Sequence, residues 1–574
     1  MSRSASLVLL AVLGAGVFLA GLELMITAVA LPSIIVDMAR RAGIAEIEAW
    51  TQLRRASWIV NGYLLVYVAT MPLAGRLADL WGARRLFLGA LAAFTVGSLL
   101  AGAAQSLDML IAGRLVQAVG GGALVPVATA AAAHLYGGHA RPRALGAIGA
   151  LTVLGMAAGP FAGAALLRAI HAESALAAAG ITSGPLVNLL VPAWRWVFYV
   201  NVPIGIVALV LAWAASSGWE TPRRAARIDL PGALLFTTGL GAGLIGLTLL
   251  GSPANSEVLG LPTSTLIVVL FAISVMGLGL AIADGLVRRD PFIDVRLFRN
   301  LEFSSAALIS LLTGYAFATA IVGAAVFVDR VLYGGPPEQQ VVLGALAGAT
   351  AVGALVSGFA VRRVSLRLVT LAGLAASAVG LAAMASWTTA TTIAAAGLAA
   401  ALFGLGFGLT VTPRSTAAVE AAGRAAFGMA SATVTVARMI GMAIGLAVLT
   451  AYGSTTIDRL NAQINASPTA YQRFIPPELS SRPLDDGLVV AALERWAAGE
   501  ASGIMAGLFL VAAVVVVAAV LPALALGGRR ARMLAGGPTE IDASEAGRTA
   551  GIEPDTGGER TRDGQEDPAV TLAL

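Results

Sequence analysis

The sequence predicts an all-α integral membrane protein: two pseudo-symmetric six-helix bundles plus two linker helices, fourteen transmembrane helices in all. Three observations predict it. Of 574 residues, 58% are hydrophobic and only 12% charged, and the mean hydropathy is +0.84, far from the balance of soluble globular chains. Apolar segments of spanning length recur from end to end. A charged, Gly-containing motif after the second of them returns, degraded, after the second of the last six.

About 20 apolar residues cross a bilayer as a helix that satisfies its own backbone polar groups. The first six such segments fall at 7–35, 57–77, 87–104, 108–133, 144–170 and 194–217. Two follow at 230–251 and 263–284, and six more at 304–330, 341–361, 368–386, 392–413, 426–453 and 501–527. The domains read from this are a bundle over 1–217, a two-helix insert over 218–303, a second bundle over 304–527, and a tail, 528–574. The long outer loop 454–500 is expected to prolong the thirteenth helix from Thr456 and to begin the fourteenth early, with Asp485 or Asp486 as N-cap. The tail is polar, Gly-rich and acidic, with Glu540, Asp542, Glu545, Glu553 and Glu559, and reads as disordered.

All 37 basic residues are arginine and none is lysine, so the chain has no lysine for a phosphate-binding Walker loop. Any uphill transport by such a chain would have to draw on an ion gradient or a partner subunit. The absence of cysteine removes thiolate chemistry and cysteine metal sites. His134, His139 and His171 are not spaced as ligands within a helix. No nucleophile, base and orienting group occur together in the spans, which argues against an enzyme, and no metal or cofactor is expected.

The formal charge of +5 reads as arginines anchoring cytoplasmic loops rather than as a nucleic-acid footprint. With the N-terminus inside, those loops hold Arg76, Arg84, Arg85, Arg141, Arg143, Arg223, Arg224, Arg227, Arg288, Arg289, Arg296, Arg299, Arg362, Arg363, Arg367, Arg414 and Arg424. The bias and the even span count both put the two termini in the cytoplasm. The first apolar stretch is too long for a signal-peptide core and ends without a small-residue cleavage pattern, so it reads as a mature helix.

The charged motif is GRLADLWGARR, Gly75 to Arg85. Gly75 and Gly82 allow a close turn of helices, while Asp79 with Arg76, Arg84 and Arg85 can form a charge clasp on a neighbouring helix end. The echo over Gly358 to Arg367 has Arg362 where Asp79 stands, so the clasp is expected to be strong in the first half only. Paired halves of this kind serve alternating access.

Ionisable groups deep in a span cost about 2.5–3.5 kcal/mol each unless paired or hydrated. Three stand out: Glu23 in the first span, Arg114 in the fourth and Arg438 in the thirteenth. Glu23 shares a small, polar stripe with Gly16, Ala20, Thr27 and Ala30, suited to a cavity. A desolvated carboxylate near arginine can exchange a proton against substrate or conformation, which makes Glu23 the proton-coupling candidate. A permanent Glu23–Arg114 salt bridge that only fixes packing is the alternative. Arg114 with Gln117, and Arg438 with Thr435 and Ser431, are the polar partners expected to orient the carboxylate or bind an anionic headgroup. In the fifth span Gly155, Gly159 and Gly163 recur every four residues around Pro160, giving a close-packing surface and a bend.

The chain resembles the fourteen-span drug:proton antiporters of the major facilitator superfamily over almost all of 7–527. The likeness rests on LELMITAVALPSI from Leu22, the motif at Gly75, GRLVQAVGGG from Gly113, GMAAGPFAG from Gly155 and WRWVFYVNVPIG from Trp194. It implies an acid in the first helix, an arginine in the fourth and a Gly-Pro antiport motif in the fifth, which fall on Glu23, Arg114 and Gly159 with Pro160. The first is usually aspartate. VTVARMIGMAIG from Val434 and the drawn-out last outer loop are similar to the mycobacterial exporter of triacylglycerol and related lipids, which works with a periplasmic lipoprotein. That exporter is thought to have a second acid in its fifth helix, where this chain has Val153.

The resemblance implies a monomeric, proton-coupled exporter of lipid or another hydrophobic or amphiphilic compound in a bacterial inner membrane, with a periplasmic lipoprotein as partner and no nucleic acid. A multidrug:proton antiporter is the near rival. A non-transporting scaffold or receptor that uses 454–500 as its contact surface is the rival of another class.

Overall fold

A computed structural model describes residues 3–41, 58–136, 140–170, 172–178, 180–215, 229–250, 257–258, 260–288, 291–292, 294–423, 426–464, 470–479, 482 and 486–527. The tail 528–574, His139, His171, and the stretch 216–228 with Arg223, Arg224 and Arg227 lie outside the described residues. The helices belong to one unit, Met1–Leu526; of the second, Gly527–Leu574, only Gly527 is described.

The first six long helices are α1 (Arg3–Arg41), α2 (Trp58–Trp81), α3 (Ala83–Ala103), α4 (Leu107–Leu135), α5 (Ala140–Ala169) and α6 (Asn201–Ala214). Then come α7 (Leu230–Leu249) and α8 (Thr263–Val287), joined through a two-residue ladder that pairs Glu257 with Pro262. The last six are α9 (Leu301–Arg330), α10 (Pro336–Ala360), α11 (Leu366–Ala385), α12 (Ile393–Ala422), α13 (Phe427–Ile464) and α14 (Gly487–Ala518). Among the described residues thirteen helices are long and apolar enough to cross a membrane, and the bent α5 makes fourteen. The fold is the all-α bundle that the hydropathy pattern predicts.

The packing repeats with a shift of eight helices. In the first half α1 lies along α5, and α4 against both α2 and α3; in the second α9 lies along α13, and α12 against both α10 and α11. Across the junction α2 meets α13, and α5 meets α10, which is the same pairing exchanged between halves. Glycines stand at these crossings, because helices in an apolar solvent gain from close van der Waals approach rather than from burial of apolar area. A Cβ at Gly155 would strike the carbonyl oxygen of Phe18 on α1, and one at Gly441 that of Leu311 on α9.

One predicted element differs in detail. The span expected as one helix from Trp194 is broken into a 3-10 turn (Ala193–Arg195), a helical turn (Trp196–Tyr199) and α6. The span at 144–170 has the bend expected around Pro160, 45° between Met156 and Phe161. Pro160 has no N–H to return to the carbonyl of Met156, so the bend falls where the ladder is open. Beyond the apolar spans, α13 runs on to Ile464 and α14 starts at Gly487, as expected of the outer loop. Asp486 is its N-cap and accepts from the Leu488 N–H at 2.8 Å.

Candidate functional site

Glu23 lies wholly inside the first half, where α1, α4 and α6 converge. Its side chain is 0% exposed and that of Arg114 1%. Oε1 accepts from Arg114 Nη1 at 2.5 Å and from Thr27 Oγ1 at 3.0 Å, and Oε2 accepts from Asn201 Nδ2 at 2.6 Å. The expected stripe is therefore real but packed: Thr27 holds the carboxylate, Ala20 and Ala30 are buried, and Gly16 lies against Phe87.

Arg114 is placed by α4, whose N-cap Ser106 accepts from the Met109 N–H. Its guanidinium also donates to Gln117 Oε1 at 2.6 Å and, through Nε, to the carbonyl of Ile59 at 3.2 Å. Gln117 passes the chain on to Ser98 Oγ at 2.7 Å. Gln117 thus orients the arginine rather than the carboxylate. The ring of Tyr63 covers the guanidinium at 3.9 Å and stacks on Tyr67 with centroids 5.7 Å apart.

The motif at Gly75 to Arg85 is helical up to Trp81 and breaks only at Gly82, whose φ of 90° suits glycine. Asp79 reaches the opposite half: its two carboxylate oxygens accept from the N–H groups of Gly428 and Met429 at 2.8 and 2.9 Å. These are orphan donors in the first turn of α13, where an anion is favoured. Gly75 lets the helices touch, since a Cβ there would lie 2.5 Å from the Gly428 carbonyl oxygen. Of the arginines in the motif, Arg76 is buried, Arg84 half-buried and Arg85 exposed. In the echo, Arg362 is exposed.

Gly155, Gly159 and Gly163 are buried along α5, and Gly155 makes the crossing with α1. Arg438 is not brought to Glu23. It faces a separate small cavity at the junction of the halves with Ser431 and Thr435. Arg414, read from the sequence as a cytoplasmic loop residue, lies inside α12 at 2% exposure, because that helix continues through Pro413 to Ala422. Sequence reasoning also missed Asn201 and Ser98. A lone amide within the apolar run VNVPIG was the signal for Asn201.

Two helical halves of repeated packing, clasped at one end and holding a sealed ion pair in one of them, define a membrane transporter. The chain belongs to the major facilitator superfamily: the profile described as Major Facilitator Superfamily matches residues 13–446. It is 32% identical to the triacylglyceride transporter of Mycolicibacterium hassiacum over 499 residues, covering 84% of this chain and 86% of that one. It is 30% identical to the triacylglyceride transporter of Mycobacterium tuberculosis H37Rv over 443 residues, 75% and 79% of the two chains. Among solved structures it shares the fold of a bacterial homologue of the human lysosomal transporter Spinster, inward-facing and unoccupied, with TM-score 0.56 at 16% identity over 92% of this chain and 98% of that one. A proton:xylose symporter gives 0.53 at 12% identity, over 90% and 95%.

Proposed function

We propose that the chain exports lipid, or a similarly apolar or amphiphilic compound, by alternating access driven by protons that bind Glu23. The observation that carries this reading is the sealed Glu23–Arg114 pair, with donors on α1, α4 and α6 closing on both carboxylate oxygens. A proton on Glu23 cancels the charge that Arg114 neutralises and leaves a guanidinium buried without a counter-charge. Breaking a buried pair in this way costs about 3–5 kcal/mol. One charge crossing a membrane at 100 mV carries about 2.3 kcal/mol. The two are of one order, so protonation is a sufficient lever on a bundle whose halves have two arrangements. The Asp79 clasp closes one end of the junction and opens in the other arrangement.

Lipid is the preferred cargo because the relatives that align over most of this chain are named triacylglyceride transporters. The 38 residues of α13 and the 32 of α14 also suit delivery beyond the bilayer, since a hydrocarbon core of about 30 Å takes only about 20 residues of helix. In this reading the chain sits in a bacterial inner membrane with both termini cytoplasmic, and a periplasmic lipoprotein takes the cargo from these extended helices. The test is gradient-driven movement of a fluorescent triacylglyceride and of a cationic dye in vesicles. Lipid movement that needs both the pH gradient and Glu23 supports the reading, and dye movement alone replaces it with drug:proton antiport.

A further inference from the structure

Two arginines of the second half, Arg414 buried and Arg438 half-buried, lie within spanning helices with no acid at ion-pair distance among the described residues. Arg414 of α12 donates through Nη1 to Thr313 Oγ1 on α9 at 2.5 Å. Arg438 of α13 is close enough for the two charges to repel. Among the described residues neither forms an ion pair, and the buried Nε of Arg438 has no hydrogen-bond partner. The hydroxyls of Ser431 and of Tyr67, which lies within electrostatic reach of Arg438, are also buried and unpartnered.

Arg438 and Ser431 meet at the junction of the halves, with Arg414 and Tyr67 within electrostatic reach of Arg438. Arg438, Ser431 and Thr435 line a cavity of about 40 Å³ together with Thr129 of α4, Thr152 of α5 and Ser415 of α12. Val153, at the position singled out for a second acid, is buried in the apolar core, so the fifth helix brings a hydroxyl to this cavity and no carboxylate. An arginine cannot shed its proton to escape burial. Two of them near one another, with hydroxyl donors idle around them, form a site that lacks an anion.

We propose that Arg438 and Arg414 bind the anionic headgroup of an acyl-chain amphiphile, a carboxylate or a phosphate, with Ser431 and Tyr67 as added donors. This rests on the lipid-export reading above. Guanidinium forks match either oxyanion. The cavity in this closed arrangement has room for little more than one water, whose share of liquid volume is about 30 Å³. The acyl chain therefore enters when the halves part, between apolar walls such as Val125, Leu145 and Val434. Tyr67 stacks on Tyr63, which covers Arg114, so the headgroup site and the Glu23 pair share one pair of rings.

The test is binding to the purified full-length protein in neutral detergent, without a gradient. Oleate, oleoyl lysophosphatidate and monoolein share a chain and differ in the head. The expected result is that one or both anions bind more tightly than monoolein by about tenfold, roughly one charge-assisted contact. The preference falls to near parity in Arg438→Gln and persists in Arg438→Lys. The tighter of the two anions identifies carboxylate or phosphate as the headgroup. Equal binding of all three by the wild type overturns the proposal, as does a preference that survives in both Arg438→Gln and Arg414→Gln. Should Arg438→Gln fail to fold, the wild-type comparison and Arg414→Gln still decide. A protein that prefers the anions yet moves no lipid in vesicles keeps this inference and loses the export reading; one that moves lipid without preference does the reverse.

Discussion

Asp79, at the end of α2 in the first half, caps the start of α13 in the second, its Oδ1 accepting the Gly428 N–H at 2.8 Å. The contact joins residues 349 positions apart and ties the two halves at one end of their junction. Loss of an N-cap carboxylate costs about 0.5–2 kcal/mol, enough to shift a balance between two arrangements. The absence of cysteine from the chain permits site-specific spin labels at Arg85 and Arg362, exposed near that end in opposite halves. The wild type should give one narrow distance distribution, and Asp79→Ala a longer or broader one.

The same crossing tolerates no side chain. Gly75→Ala would drive a methyl group to 2.5 Å from the Gly428 carbonyl oxygen and from Ala432 Cβ, both on α13. Overpacking of this kind costs about 1–3 kcal/mol. The melting temperature of Gly75→Ala should fall, while that of Gly89→Ala, where a Cβ meets nothing within 4 Å, should hold or rise.

Asn201 supplies the hydrogen bond to Glu23 Oε2. Removing the donor leaves a buried carboxylate oxygen unsatisfied, at about 1–3 kcal/mol. Initial rates of gradient-driven lipid movement in Asn201→Ala should drop by about tenfold, which corresponds to 1.4 kcal/mol. Ser98→Ala, two bonds further along through Gln117 and Arg114, should lose less.

A pH-dependent anchor lies at the start of the linker hairpin. Burial pushes the Asp229 carboxyl up, but the Gly232 and Phe292 N–H groups, with Asp284 and Arg288, outweigh it and hold the group below the ordinary carboxylate range. Its stabilising contribution is then complete above the unfolded value, about 3.9, and is lost as the pH falls through the lower folded value. At pH 7 Asp229→Asn should melt below the wild type, and the difference should shrink steadily below about pH 4.

The spans, the Asp79 motif and the Glu23–Arg114 pair were legible because each is a local departure from an apolar background. What Asp79 grips was not, since Gly428 carries no side chain and nothing in its neighbourhood marks it as a partner. Arg414 misled for the opposite reason: the string TPRSTA after an apolar run reads as a span end, yet α12 passes through it because Pro413 is accommodated and Thr313 receives the guanidinium. The bend in α5 could be anticipated from Gly159 and Pro160, but its 45° is set by the helices packed around it. The separation of Arg438 from Glu23 is likewise a tertiary fact, invisible in the similar placing of three ionisable residues in three spans.

Glu23 is the proposed carrier of the coupled proton. Its most direct test is proton flux itself, read by a pH-sensitive dye inside vesicles when a gradient of the transported lipid is imposed, in wild type and in Glu23→Gln. Wild type should show lipid-dependent acidification or alkalinisation and Glu23→Gln none, although the variant still binds lipid. Lipid-dependent proton flux that persists in Glu23→Gln would contradict it.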